Sequence, residues 1–118
     1  VRATDNSAEV GPVNLVIFCV KSYDTESAIR QALPMVGQDT LVLSLQNGID
    51  NEEKIASFIG REKVLAGVAY IGASAPEPGV VLHQESGKIV FGELDEGVSE
   101  RVVRLAATAG ASRFAAVA

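Results

Sequence analysis

Lys21 and the triplet Gln46-Asn47-Gly48 are the residues of this chain whose types and positions suit chemistry. Lys21 closes an apolar run, Leu-Val-Ile-Phe-Cys-Val at residues 15–20. A lysine head is a compact cation that suits a phosphate, a carboxylate or a polarised carbonyl. Asn47 carries an amide that both donates and accepts, which equips it to orient a hydroxyl. Each also has a plainer reading, Lys21 as a solvated strand terminator and Asn47-Gly48 as a turn with glycine at positive φ. A third cluster, Gly72-Ala73-Ser74, would let backbone approach a flat ring closely.

The elements that must position these groups follow from the hydrophobic pattern. An apolar run with no polar face belongs to a strand inside a parallel sheet covered on both sides, and residues 13–20 form the first. A helix from Thr25 to Met35 follows, with Asp24 or Ser22 as N-cap and Ala28, Ile29, Ala32 and Leu33 at helical spacing. Residues 40–45 form a second buried strand that runs directly into Gln46, and residues 51–59 a second helix ended by Gly60. Residues 63–71 form a third strand, in which Gly67 and Gly72 point to a bulge or a close approach. Residues 74–79, with Pro76 and Pro78, read as a rigid loop. Residues 80–84 and 88–91 flank Glu85-Ser86-Gly87 as a hairpin. Residues 98–108 make an amphipathic helix with Val102, Val103, Leu105 and Ala106 inward, and residues 112–117 start another strand. The order is an α/β fold: a partial, Rossmann-like three-layer domain whose parallel sheet carries an added antiparallel hairpin. In such sheets ligands bind beyond the carboxyl ends of the strands, which is where Lys21 and Asn47 fall.

Composition narrows the alternatives. The 118 residues are 47% hydrophobic and 21% charged with net charge −5, a globular balance that supports one domain. No Lys/Arg cluster interleaves with aromatics, so nucleic acid is not expected as a partner. No apolar run reaches the roughly 18 residues of a membrane helix, and no secretory leader is visible. The lone cysteine, Cys19, reads as a buried structural thiol in a reducing cytoplasm. His83 has no companions for a metal site, and none is expected. Tyr70 reads as core, and Asp24, Asp50, Glu52 and Glu53 as charges that favour helix starts. No nucleophile, base and acid can be assembled into a set.

Three segments together resemble one family. Val16-Ile17-Phe18-Cys19-Val20-Lys21-Ser22, then Leu45-Gln46-Asn47-Gly48-Ile49, then Ala66-Gly67-Val68, Gly79-Val80-Val81-Leu82-His83 and Phe91-Gly92 occur in the order and spacing of the ketopantoate reductases (2-dehydropantoate 2-reductases). The resemblance implies an oxidoreductase that uses NADP(H) to reduce a small 2-keto acid, 2-dehydropantoate, to pantoate in pantothenate biosynthesis. It implies that Lys21 and Asn47 line the cofactor and substrate crevice, and that Gly72 or Ala73 meets the cofactor through its backbone. It also implies that residues 1–118 are the latter part of the dinucleotide-binding domain. No Gly-x-Gly-x-x-Gly occurs in the sequence, so the Gly-rich first βα unit and the C-terminal helical substrate domain would lie outside it. The family's catalytic residues would lie there too, and the 118 residues alone are expected to be inactive. A related 2- or β-hydroxyacid dehydrogenase and a non-catalytic nucleotide-binding or assembly module are the alternatives. Finally, with no partner strand on one side, the apolar edge from Val13 to Val20 is expected to form a homo-oligomer.

Overall fold

The computed structural model describes residues 2–84, 87–110 and 115–117. They divide into two compact units, Val1–Ala66 and Gly67–Ala118.

The first unit is built on three parallel strands. β1 (Val13–Phe18) pairs with β2 (Val36–Ser44), and β2 pairs with the start of β3 (Val64–Tyr70). Two helices alternate with them, α1 (Thr25–Ala32) and α2 (Asn51–Ile59). Between Lys21 and α1 the chain makes a one-turn 3-10 helix, Ser22–Asp24. Pro34 turns the end of α1 into another, Leu33–Met35, because it cannot supply the next helical N–H. Ile29 of α1 and Ile55 of α2 are fully buried, together with Val42 and Val64 of the sheet. Gly60 ends α2 at φ +91, a conformation that disfavours any residue with a Cβ.

One face of the first strands is covered and the other is partly open. In a parallel ladder, residues in register point the same way, so Val16, Val42 and Val64 share a face with Phe18, Ser44 and Ala66. The helices lie on that face. On the opposite face Leu43 and Leu65 are buried, but Ile17 is 50% exposed and Cys19 is exposed. Burial of residues 13–20 on both sides is therefore corrected, because both helices of the unit take the same face. Strand β1 also ends at Phe18, which leaves Cys19 beyond it. Partial desolvation still holds the Cys19 thiol above its ordinary value, so it is no activated thiolate. The lead-in carries a one-turn 3-10 helix, Ser7–Glu9, whose Ser7 hydroxyl donates to the Gln31 carbonyl of α1. It packs on the helix and leaves β1, the terminal strand of its sheet, with no strand on its outer edge among the described residues.

The second unit holds the rest of β3 and a two-stranded hairpin, β4 (Ala73–Glu77) with β5 (Val80–His83). The expected hairpin across residues 85–87 is corrected: β5 pairs with the segment before it. Pro78-Gly79 is the turn, with Gly79 at φ +82, as a type II turn requires. Residues 74–79 are thus mostly strand rather than loop, and the register shifts between Ser74 and Glu77, around Pro76. Glu85 and Ser86 lie outside the described residues. β6 (Lys88–Gly92) lies between β3 and β7 (Ala115–Val117), and α3 (Glu100–Gly110) connects β6 to β7. Of the expected strand at residues 112–117, residues 112–114 lie outside the described ones. Tyr70 is 56% exposed rather than core, and the Lys88 ammonium sits 5.1 Å from its ring centre. Val103 is exposed, and Val102 carries the burial of α3.

The start of α3 is fixed by one ion pair. Glu93 accepts from Arg101 Nε at 2.7 Å and also meets Arg101 Nη2 and the Ser99 hydroxyl. Ser99 Oγ accepts in turn from the Val102 N–H. The Arg101 guanidinium, aided by Ser99, holds the Glu93 carboxyl below its ordinary range against the opposing desolvation. A depressed carboxylate value adds stability that is present above the unfolded value and lost as pH falls through the folded one. Glu93→Gln should therefore lower Tm at neutral pH, by about 1–2 kcal/mol of stability for a charged hydrogen bond. It should also flatten the acid limb of a Tm-against-pH curve. An unchanged acid limb would remove the pair from the account.

Candidate functional site at the carboxyl ends of the first two strands

Both candidate loops leave the sheet at the same rim and are tied together underneath it by buried polar side chains. After β1 come Cys19, Val20 and Lys21; after β2 come Leu45, Gln46 and Asn47. The ladder persists one step past the strands, where the Leu45 N–H donates to the Phe18 carbonyl at 2.9 Å. Then side chains take over from backbone. Gln46 Nε2 donates to the Val20 carbonyl at 3.0 Å and to Thr25 Oγ1 at 2.8 Å. Thr25 Oγ1 lies 2.9 Å from Asn51 Oδ1 and 2.9 Å from the Ser22 carbonyl. Asn51 Nδ2 donates to the Asn47 carbonyl at 3.0 Å.

Three elements supply this cluster, and each side chain is there because of its position on a periodic pattern. Gln46 follows Val42 and Ser44 at period two, on the helix-covered face, and is 7% exposed. Thr25 precedes Ile29 by one helical turn on the inward stripe of α1, and Asn51 precedes Ile55 likewise on α2. Thr25 and Asn51 are fully buried. Polar groups held this deep cost about 1–3 kcal/mol each unless they are paired, so the cluster tolerates few alternative arrangements. Ser44 Oγ and Gln46 Oε1 are buried and find no partner among the described residues.

Sequence reasoning placed Gln46 in the rim but missed Thr25 and Asn51, which it took as parts of helix starts. The signal was available: a threonine or asparagine one turn before a buried isoleucine, on the same stripe, has to find a buried partner. Asp24 occupies the N-cap position of α1 without a side-chain cap bond, and Asp50 that of α2, also without one. Asp50 instead pairs with Lys54 at 2.8 Å, and that ammonium holds its carboxyl below the ordinary range.

Above the cluster, Lys21 and Asn47 are exposed, and Gly48 takes φ +130. A Cβ built on Gly48 would lie 2.7 Å from Asn51 Nδ2 and 3.7 Å from Ser22 Cβ. The turn after Asn47 therefore lies beside the turn after Lys21, close enough that an added methyl at Gly48 would reach Ser22. The structure brings these two candidates onto adjoining loops. Gly72 and Ala73 are placed in the second unit, between β3 and β4 and at the start of β4. A Cβ on Gly72 would meet nothing within 4 Å, so no close approach by this chain's own backbone requires that glycine. His83 is an exposed β5 residue, and among the described residues no group of His, Cys, Asp and Glu could hold a metal. No helix of the described residues is long and apolar enough to cross a membrane.

The comparisons with known proteins converge on one family. The sequence profile of the family described as Ketopantoate reductase PanE/ApbA matches residues 1–96. The chain belongs to the ketopantoate reductase family. It is 42% identical over 105 residues to a 2-dehydropantoate 2-reductase of Halobacterium salinarum, covering 89% of this chain and 34% of that protein. It is 44% identical over 89 residues to the enzyme of the same name from Pyrococcus horikoshii, covering 75% and 29%. The chain thus spans about a third of the length of the relatives it matches. The crystal structure of the Geobacter metallireducens 2-dehydropantoate 2-reductase superposes with a TM-score of 0.87 at 32% identity, over 94% of this chain and 37% of that one. A D-mandelate dehydrogenase solved with NADH and anilino(oxo)acetate gives 0.81 at 28% identity, over 89% and 34%.

Ketopantoate reductase relatives of this kind make a nicotinamide dinucleotide the group to test against the residues present. An exposed ammonium and an exposed amide on adjoining loops are donors of the kind that phosphate and ribose oxygens of such a dinucleotide accept. Nothing in the sequence supplies a glycine-rich cradle for its pyrophosphate. Two substitutions check the surroundings of the two glycines, one in each unit. Gly48→Ala should cost about 1–3 kcal/mol in urea unfolding, because it combines strained φ with a collision against a pinned amide. Gly72→Ala should be neutral or stabilise by up to about 1 kcal/mol, as a glycine in open space allows. Equal effects at the two sites would contradict the geometry.

Proposed function

We propose that this chain is the part of an NADP-dependent 2-dehydropantoate 2-reductase that receives the nicotinamide half of the cofactor and one side of the 2-keto acid. The observation that carries the reading is the placement of Lys21 and Asn47 on two adjoining loops at the carboxyl rim, tied by one buried cluster, in a chain of this family. When bound, the nicotinamide supplies the hydride that reduces the substrate's keto carbon. The chain's own residues bind and orient. The Lys21 ammonium offsets the charge of a phosphate or of the substrate carboxylate, and the Asn47 amide donates to one hydroxyl oxygen while accepting from another. In the second unit, the Gly72-Ala73 backbone is the proposed cofactor contact. We assign no proton-transfer group to residues 1–118. The pyrophosphate loop and the acid-base residue belong, on this reading, to other parts of the whole protein. NADP(H), the 2-keto acid and a cytoplasmic setting follow from the family reading.

A second reading is favoured by the D-mandelate dehydrogenase likeness: the same rim could serve a different 2-hydroxyacid and NADH. Steady-state rates with each keto acid and each nucleotide separate the two. In the whole protein that carries this sequence, Lys21→Ala and Asn47→Ala should each lower kcat/KM by about 1.5–3 kcal/mol while leaving Tm nearly unchanged, since both side chains are exposed. Wild-type kinetics in either variant would return that residue to the role of strand terminator or turn former.

The uncovered edge of β1 supports one further part of the reading. It contains no charge, proline or glycine, it ends its sheet, and the lead-in packs elsewhere. Two copies of the 118-residue chain pairing along this edge would satisfy its free backbone groups. Light scattering at micromolar concentration should report a dimer or larger species. A monomer whose β1 amides resist exchange would contradict it.

A further inference from the structure

The buried cluster beneath the rim has a direction, and the direction runs through one atom. Gln46 Nε2 has two protons, and the Val20 carbonyl and Thr25 Oγ1 take them. Thr25 accepts from Gln46 and has a single hydroxyl proton to offer, with Asn51 Oδ1 and the Ser22 carbonyl both at 2.9 Å. The Asn47 carbonyl can only accept, so it draws Asn51 Nδ2 toward itself and leaves Oδ1 facing Thr25, as the Val20 carbonyl draws Gln46 Nε2. The order of donation is Gln46, Thr25, Asn51, Asn47. Its two ends are the backbone of the loop that carries Lys21 and the backbone of the loop that carries Asn47.

We infer that Thr25 is a positioning residue: its hydroxyl links the Gln46 and Asn51 amides and, through them, holds the Lys21 and Asn47 loops at the spacing a nucleotide needs. This inference rests on the proposed function for the identity of the ligand, but the clamp itself does not. Valine has the shape of threonine without the hydroxyl. Thr25→Val would leave Gln46 Nε2 and Asn51 Oδ1 facing a methyl group, with the link between the two loops cut. Serine keeps the hydroxyl and loses only the methyl.

The test uses the whole protein that carries this sequence, with NADPH as the probe. Thr25→Val should raise the KM for NADPH about tenfold with kcat changed less than about twofold, the loss of one to two well-made hydrogen bonds. Thr25→Ser should recover most of that affinity. Ile29→Val, one turn along the same buried stripe, serves as the control for a merely structural effect and should lower Tm without moving KM. If Thr25→Val lowers Tm and leaves KM where Ile29→Val leaves it, the positioning role is refuted. Should Thr25→Val not fold, Asn51→Ala removes the links to Thr25 and to the Asn47 carbonyl together and must raise KM in the same way, or the inference fails. If the wild-type protein turns over no nicotinamide nucleotide, the proposed function fails, and amide exchange then decides the clamp. Faster exchange confined to residues 20–22 and 46–48 in Thr25→Val supports it. Exchange accelerated equally along β1 and β2 overturns it.

Discussion

The hydrogen bonds that join Gln46, Thr25 and Asn51 are the constraint on which this rim depends. Backbone pairing ends at Leu45, and beyond it no ladder holds the two loops together. Side chains from one strand and two helices take that task, inside a region where water cannot compete for them. A loop tip tied only by its own backbone would sample many shapes. Here the Val20 and Asn47 carbonyls are each held by a buried donor. The exposed functional groups above can then be both accessible and fixed, a combination that a binding rim needs.

The same cluster explains why the first unit arranges its helices as it does. Thr25 and Asn51 begin α1 and α2, and each is followed one turn later by a fully buried isoleucine. Apolar packing of Ile29 and Ile55 supplies the bulk of the burial, while the polar residues at the helix starts select the register. A slip of one residue in either helix would pull a polar group out of the cluster and leave its partner unpaired at depth. That loss is about 1–3 kcal/mol per orphaned group, enough to discriminate between packings of similar apolar area. Of the buried side-chain polar atoms among the described residues, Gln46 Oε1 and Ser44 Oγ lack partners, both at the carboxyl end of β2.

Much of this was legible in the amino-acid order, and the failures have physical causes. The helix at residues 51–59 and its stop at Gly60 follow from local signals alone, an apolar stripe and a residue free to take positive φ. The Lys21 and Asn47 loops follow from apolar runs that end in polar residues. Buried faces were harder, because a run such as residues 15–20 states that burial is favourable and not that a neighbour exists to provide it. Ile17 and Cys19 are open for that reason. The hairpin was misplaced because two turn signals compete within ten residues, and Pro76 argued against a strand. A two-stranded ribbon leaves its outer backbone groups unpaired, so a register shift beside Pro76 accommodates it where a central strand would not. The polar cluster escaped notice because its members are far apart in sequence and each looks ordinary alone.

The central claim is that a nicotinamide nucleotide binds over this clamped rim. Nuclear magnetic resonance of the ¹⁵N-labelled whole protein that carries this sequence, titrated with NADPH, addresses it directly. The account predicts saturable shifts concentrated in the amides of Lys21, Ser22, Asn47 and Gly48, with smaller ones at Thr25 and Asn51 beneath them. Saturable binding that leaves those amides unmoved would contradict it.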